Sequence, residues 1–494
     1  MIDDILREVE RDALPDAAAR VTSLATDYLA ATRRGEGAVS LTVQRDEVDA
    51  RFAEPMPEDG RPLADVVDRI RDDIIADANH LAHPMYMGHQ VSFALPVAAW
   101  VDGVISALNQ SIAVEEMSPT LTALETRVVR WMCDAAGLPA ASGGTFTSGG
   151  TEATFTALLA ARAAALPDSW VEGVSDRAPV VLCGEHTHYA VTRAVAQLGL
   201  GMQSAIAIPS ERYRMNPDAL ERELVRLSAA GTRVMAVVAT AGHTATGAFD
   251  DLDRIGHLCD ARGIWLHVDG AHGASALLSD RHRHRVRGIE RARSIAWDPH
   301  KMMLLPLPAG MVLVRDEREL QAAFAQRAPY LFHGDAGDAG RARVRDQGVR
   351  SFQCSRRGDV LKVWAVLQRY GRRGIAALHD HLCDLALAMY QTLSAREDFV
   401  TLHEPESNIL CFRWVGASDG RPDEDTLDAI NGEVRARYNQ SGIGWITTTV
   451  LEGRRVLRVT MMNPRTTVVH VKAAVDELAR VANAITRTGV VNAR

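Results

Sequence analysis

The sequence predicts an α/β protein: a mostly parallel central sheet with helices on both faces, followed by a small C-terminal α+β domain. Three observations predict it. Five short apolar runs recur through the middle of the chain: PVVLCGE (179–185), VMAVVATAG (234–242), GIWLHVDG (263–270), SIAWD (294–298) and GMVLVRD (310–316). Amphipathic stretches such as DDLDRIGHLCDARG (250–263) lie between them, and apolar strands alternating with helices make a sheet covered on both faces. The length, 494 residues, exceeds one small domain and suits two or three packed lobes.

Taken in order, residues 1–95 read as a helical segment. ILREVERDALPDAAARVTSLATDYLAAT and LADVVDRIRDDIIADANHL carry apolar residues at helical spacing. With few strand signals of its own, this segment is expected to pack on something else, such as a second subunit. Residues 96–365 hold the five apolar runs and form the large domain. Residues 366–494 form the small domain. There NILCFRWVG, DTLDAINGEVRARYNQSG, RVLRVTMMN and VVHVKAAVDELARVANAITR read as strand, helix, strand and helix. HGDAGDAGRARVRDQGVR (333–350) has no apolar period and reads as a mobile surface loop.

Composition excludes several classes. The formal net charge is −8 with arginines scattered, which gives no basic patch for nucleic acid. No run approaches the ~20 apolar residues of a membrane span. The start, MIDDILREVERDALPDAAAR, is acidic and lacks the pattern of a secretory signal. Six dispersed cysteines with no CxxC point to a reducing cytoplasm rather than a disulfide scaffold.

Four features fall at predicted strand ends, where ligands bind in such sheets. TFTSGGTEATFTALLAARAAA (145–165) opens a helix with a Ser-Gly-Gly-Thr turn, suited either to a phosphate or to an ordinary helix cap. CGEHTHYAVTRA (183–194) places His186 and His188 past a strand, as metal ligands, a stacking surface or plain loop residues. No Cys or carboxylate stands near at ligand spacing, which argues against zinc there. Asp269 ends the strand of IWLHVDGAHGA (264–274); buried, it needs a cationic partner or else serves as a turn residue. Lys301 follows SIAWD in SIAWDPHKMM (294–303), as a desolvated nucleophile or as a lysine snorkelling from a core edge. A second histidine-bearing run, RHRHR (281–285), reads as a solvated basic loop, and no metal is expected. Together the four features form the set that pyridoxal phosphate requires: a phosphate cradle, an aspartate, an imidazole able to stack and a lysine amine.

The chain resembles the group II pyridoxal-phosphate-dependent amino acid decarboxylases, from HPMYMGHQ (83–90) to the C-terminal lobe. The resemblance rests on TAGHTATGAFDDL (240–252), IWLHVDGAHG (264–273), GIERARSIAWDPHKMM (288–303) and QCSRR (353–357). It implies the aspartate-aminotransferase-like fold, known as fold type I, in a homodimer with the active site at the subunit interface. It implies that Lys301 bonds pyridoxal 5'-phosphate as an aldimine, that Asp269 pairs with the pyridine nitrogen, and that Ala271 packs near the ring. By the same resemblance His188 stacks on the ring, Gly150 and Thr151 cradle the phosphate with His300 beside them, and Thr244 lies near cofactor and substrate. Cys354 and Ser355 match residues that reach the phosphate from the partner subunit. Arg458 matches a residue that binds the substrate carboxylate, and Tyr86, His89 and Phe93 fall in the segment that shapes the side-chain pocket.

The implied activity is decarboxylation of an L-amino acid to its amine and CO₂. The sequence departs from the family at one mechanistic position: the 333–350 loop has no tyrosine, and the nearest is Tyr330. The departure leaves His188 or His333 as the proton donor to the α-carbon. It also keeps open an alternative, decarboxylation-linked oxidative deamination to an aldehyde, or another carbon–carbon cleavage. Two further departures are His243 before Thr244, where the family has threonine, and Gly270. Gly88 and His89 replace the asparagine and glutamine of glutamate decarboxylases, which argues against glutamate. A cofactor-free scaffold is the remaining reading, and it gives no use to a buried lysine and carboxylate.

Overall fold

The computed structural model describes residues 2–41, 43–174, 178–324, 346–416 and 421–488. Tyr330, His333 and residues 333–345 of the loop lie outside the described residues. Chain contacts group the residues into two units, one of 90–386 with 403–410 and one of 1–89 with 387–402 and 411–494.

Among the described residues the first unit holds nine strands: β1 (Gly143–Thr147), β2 (Val180–Gly184), β3 (Ala205–Ile208), β4 (Ser210–Glu211), β5 (Arg214–Met215), β6 (Val234–Thr240), β7 (Trp265–Asp269), β8 (Ser294–Trp297) and β9 (Gly310–Val314). Seven of them form one sheet in the order β1-β9-β8-β7-β6-β2-β3. The pairings from β3 to β8 are parallel, and β9 runs antiparallel to both its neighbours. β4 and β5 form a separate two-stranded ribbon. All five apolar runs are strands of the large sheet, and β1, β7, β8 and β9 are buried along their whole length. Helix Gly150–Ala165 crosses one face of the sheet. Its alanines allow close approach, so Ala153 and Ala157 pack against Ala296, Val312 and Val314, while Leu158, Leu159 and Ala161 join Val181 and Val191.

The end of the expected surface loop is not surface. Gln347 is 1% and Arg350 3% exposed; Gly348 donates its N–H to the carbonyl of Ala113, and Arg350 pairs with Glu317. The Arg guanidinium and the backbone groups find partners inside, which lets a polar stretch bury.

The second unit carries a four-stranded sheet of order β10-β11-β13-β12, with β10 (Phe399–Thr401), β11 (Ile409–Trp414), β12 (Thr447–Leu451) and β13 (Arg454–Thr460). Helices Glu424–Gln440 and Val468–Thr488 follow the sequence reading. At the N-terminus, helix Ile2–Asp12 buries no residue, and its apolar stripe of Ile2, Ile5, Leu6 and Val9 is exposed.

Candidate active site

Because β1, β2, β6, β7 and β8 all point the same way, their carboxyl ends open on one side of the sheet. Asp269 is the last residue of β7, set in register between Thr240 of β6 and Ala296 of β8. It is 8% exposed, and its Oδ1 accepts the N–H of Ala271 at 3.2 Å.

Lys301 stands on a tight turn after β8. The turn is closed by Lys301 N–H to the Asp298 carbonyl, His300 N–H to the Ala309 carbonyl, and Leu304 N–H to the Lys301 carbonyl. Ser92 Oγ donates to the His300 carbonyl at 2.9 Å and clamps the turn from outside. The Lys301 ammonium lies 3.3 Å from Asp298 Oδ2. The same oxygen accepts the Gly150 N–H at 2.9 Å and faces His300 Nε2 at 3.4 Å. Burial pushes the Asp298 carboxyl up, but the Lys301 charge, His300 and the Gly150 N–H outweigh it and hold its pKa below the usual value. His300 Nδ1 accepts from Ala309 N–H at 3.1 Å, which leaves the proton on Nε2, toward Asp298.

His188, past the end of β2, is half-buried. Its Nδ1 accepts the Ala190 N–H at 3.2 Å, so a neutral ring carries its proton on Nε2. Burial lowers its pKa; the charges of Asp269 and Asp298 oppose this and those of Lys301 and Arg193 reinforce it. The imidazole is thus in electrostatic reach of the lysine and both carboxylates.

The start of helix Gly150–Ala165 has N–H groups without intrahelical acceptors and a positive dipole end. Glycine is required there: a Cβ on Gly150 would lie 2.8 Å from the Ala271 Cβ and 3.1 Å from Asp298 Oδ2. Buried Asp298 Oδ1 has no hydrogen-bond partner. A glycine cradle, an anion-binding helix start and a lysine amine fit pyridoxal phosphate. Thr244, past β6, is half-buried; Cys354 and Ser355 are exposed, next to Gln353, whose Nε2 donates to Glu152 Oε2 at 2.6 Å.

Asp298 was not singled out from the sequence, although it sits in the SIAWDPHKMM stretch; its strand-end position was the available signal. A second missed pair lies under the site. His243 is fully buried, with Nε2 3.0 Å from Asp250 Oδ1 and Nδ1 3.3 Å from the His186 carbonyl. Asp250 also accepts the N–H groups of Thr240 and Met215.

Of the expected substrate residues, Phe93 is a buried residue of the first unit. Tyr86, His89 and Arg458 belong to the second. There Tyr86 stacks on Trp445 at 6.3 Å and 10°, and Met87 N–H binds the Trp445 carbonyl. A Cβ on Gly88 would lie 2.4 Å from Trp445 Cδ1, so the indole occupies the space of a larger residue at 88. His89 is exposed; desolvation lowers its pKa, as do the charges of Arg458 and Arg435.

Residues 47–415 match the family model described as the pyridoxal-dependent decarboxylase conserved domain. An L-2,4-diaminobutyrate decarboxylase of Rhizobium meliloti (strain 1021) is 37% identical over 432 residues, which span 86% of this chain and 84% of that protein. A cysteine sulfinic acid decarboxylase of Mus musculus is 34% identical over 68% of each chain. The crystal structure of mouse CSAD superposes with a TM-score of 0.88 at 27% identity, covering 95% of this chain and 99% of that one.

Proposed function

The chain belongs to the pyridoxal-dependent decarboxylase family, and on that premise we propose how its own residues remove CO₂ from an amino acid. It is a pyridoxal-phosphate-dependent amino acid decarboxylase of fold type I. The observation that carries the assignment of residues is the convergence of Lys301, Asp298, Asp269 and His188 at the carboxyl ends of β2, β7 and β8.

Bound pyridoxal phosphate supplies an electron sink conjugated to the amino acid's α-carbon. Lys301 would provide the amine that holds the cofactor's aldehyde carbon. Asp269 keeps a proton on the pyridine nitrogen, and His188 covers one face of the ring. Gly150, Thr151 and His300 hold the phosphate, with Cys354 and Ser355 of a second copy. Thr244 orients the substrate near the cofactor, while Arg458 receives a carboxylate and Tyr86, His89 and Phe93 select the side chain. The Lys301 amine, held 3.3 Å from Asp298 Oδ2, is placed to deliver a proton to the α-carbon in place of a loop tyrosine.

The substrate class we favour is a short L-amino acid with a charged side chain. Support comes from the two relatives, named for diaminobutyrate and cysteine sulfinic acid, and from the charges of Arg458 and Arg435 near His89. A homodimer is supported by the exposed apolar stripe of helix Ile2–Asp12, which a second copy would cover. Six cysteines outside any disulfide, five of them buried, suit a reducing cytoplasm. Among the described residues no helix is long and apolar enough to cross a membrane.

The test is aerobic turnover on an amino acid panel with CO₂, amine, aldehyde and peroxide measured together. CO₂ with an equal amount of amine is expected. CO₂ with aldehyde and peroxide would overturn the amine-forming reading in favour of oxidative deamination.

A further inference from the structure

The fold turns one residue of the basic run RHRHR inward, against the sequence reading of a solvated loop. Arg281, Arg283 and His284 face solvent, but the His282 side chain is only 12% exposed. It packs on helix Val360–Ser394 beside His379 and Cys383. Those two are four residues apart and share a helix face. The imidazole nitrogens and the thiol sulfur all lie within 4.8 Å of one another, and Cys383 Sγ is 3.9 Å from His379 Nδ1. Asp380 adds a carboxylate, with Oδ1 3.6 Å from His379 Nδ1 and 3.8 Å from His282 Nε2. Both ring nitrogens of His282 are buried and neither has a hydrogen bond. A buried polar ring with two unmatched nitrogens is uncommon and calls for a partner.

We propose that His282, His379, Cys383 and Asp380 bind one zinc-class divalent cation that ties the segment after β7 to helix Val360–Ser394. Two imidazoles, a thiolate and a carboxylate are donors of a four-coordinate zinc site, whereas calcium and magnesium take oxygen ligands. Zinc bonds of about 2.0–2.3 Å set tetrahedral ligand atoms roughly 3.5 Å apart, so His282, His379 and Cys383 close on the ion with movements of about 1 Å, and the Asp380 carboxylate turns toward it to complete the set. The charges around it leave room for a cation. Arg281 pairs with Asp384 at 2.7 Å and lies 4.0 Å from Asp380, and Arg285 pairs with Glu406 at 3.3 Å. Ser279 Oγ donates to Asp380 Oδ1 at 2.5 Å, orienting the carboxylate. On binding, the Cys383 S–H bond breaks as the S–metal bond forms, and the proton leaves to solvent. The segment so anchored continues directly from Asp269 and Ala271, which gives the cation a structural role behind the site.

The experiment uses the tag-free, cofactor-loaded full chain, stripped of metal by a chelator and titrated with Co²⁺ under reducing conditions. One equivalent of Co²⁺ per chain is expected, with the intense long-wavelength visible bands of a tetrahedral site, displaced by Zn²⁺. His282→Ala and Cys383→Ser should each weaken binding by at least about 100-fold, more than losing a hydrogen-bond partner behind a ligand costs. His282 is more exposed than Cys383, so its variant keeps the test valid if the Cys383 variant does not fold. Octahedral-type weak bands, or an affinity unchanged in His282→Ala, would overturn the proposal, and neither outcome depends on whether the chain decarboxylates.

Discussion

The ammonium of Lys301 lies 3.3 Å from the carboxylate of Asp298, three residues before it on the same turn. The pair explains how an amine can sit among the buried Met302, Met303 and Leu304. Asp298 is 1% exposed and Lys301 20%, so the pair is only partly shielded from water. Asp298→Asn keeps an acceptor for the Gly150 N–H and removes the charge. We expect cofactor-free protein to lose about 1–3 kcal/mol, below the 3–5 typical of a broken fully buried pair, because Lys301 retains some water. Urea denaturation of wild type and variant measures it; equal midpoints would show that the pair contributes nothing.

Lys301→Ala tests the assignment of the covalent anchor. Borohydride reduction should fix the cofactor to wild-type protein at a peptide containing Lys301 and leave the variant unlabelled. Turnover should fall by at least about 10⁴-fold, in the range seen when a nucleophile is deleted. Labelling of another lysine in wild type, such as buried Lys362, would move the anchor.

Gly150 faces both Ala271 and Asp298, with no room for a methyl group. Gly150→Ala should shift the start of helix Gly150–Ala165 and cost about 1–3 kcal/mol of cofactor binding, a factor of roughly 5–150 in Kd. At saturating cofactor the KM for amino acid should change little. Equilibrium dialysis of pyridoxal phosphate against both proteins gives the answer, and an unchanged Kd would place the phosphate elsewhere.

Two buried histidines give opposite pH dependences. His267 lies between Ser294 and the core, and burial pushes its pKa from 6.5 down to about 4. Its native ring is neutral, so the unfolded state takes up the proton first. Its contribution is complete above pH 6.5 and is lost as pH falls toward 4, up to about 3 kcal/mol. For His243, burial acts downward too, but Asp250 and the His186 carbonyl outweigh it and raise its pKa. That contribution is complete below 6.5 and is lost as pH rises through the folded value. Denaturation from pH 4 to 9 of wild type, His267→Gln and His243→Gln should show an acid-side slope that vanishes in the first variant. A neutral-to-alkaline slope should vanish in the second. Parallel curves for all three proteins would remove both histidines as the source.

Much of this was legible in the sequence because it is local. The five apolar runs announce strands; Asp269 ends one of these strands, and His188 and Lys301 each stand three residues past the end of another run. What was missed depends on the chain returning to itself. β1 (GGTFT) is short and begins with glycines, and β3 (AIAI) is only partly buried, so neither shows a full apolar run. The reversal of β9 leaves no trace in composition. Asp298 gained meaning only from the turn that places it under Lys301, and His282 from partners about a hundred residues away.

We propose that His89, within electrostatic reach of Arg458 and Arg435, sets substrate choice. An imidazole there can accept from an ammonium or, once protonated, meet an acidic group; either use acts on the side chain and not on the cofactor. His89→Ala should therefore change the ratio of kcat/KM between acidic and basic amino acids by about tenfold or more, the worth of one lost hydrogen bond to a charged group. Cofactor Kd should stay the same. Gly88 sharpens the test, because Trp445 fills the volume beside it. Gly88→Asn alone should cost about 1–3 kcal/mol through overpacking, and Trp445→Ala should relieve most of that cost. If the paired variant folds no better than Gly88→Asn, the indole is not what excludes a larger residue at 88. If His89→Ala leaves the ratio unchanged, selection lies with Tyr86, Phe93 or Arg458, each of which can then be replaced in turn against the same panel.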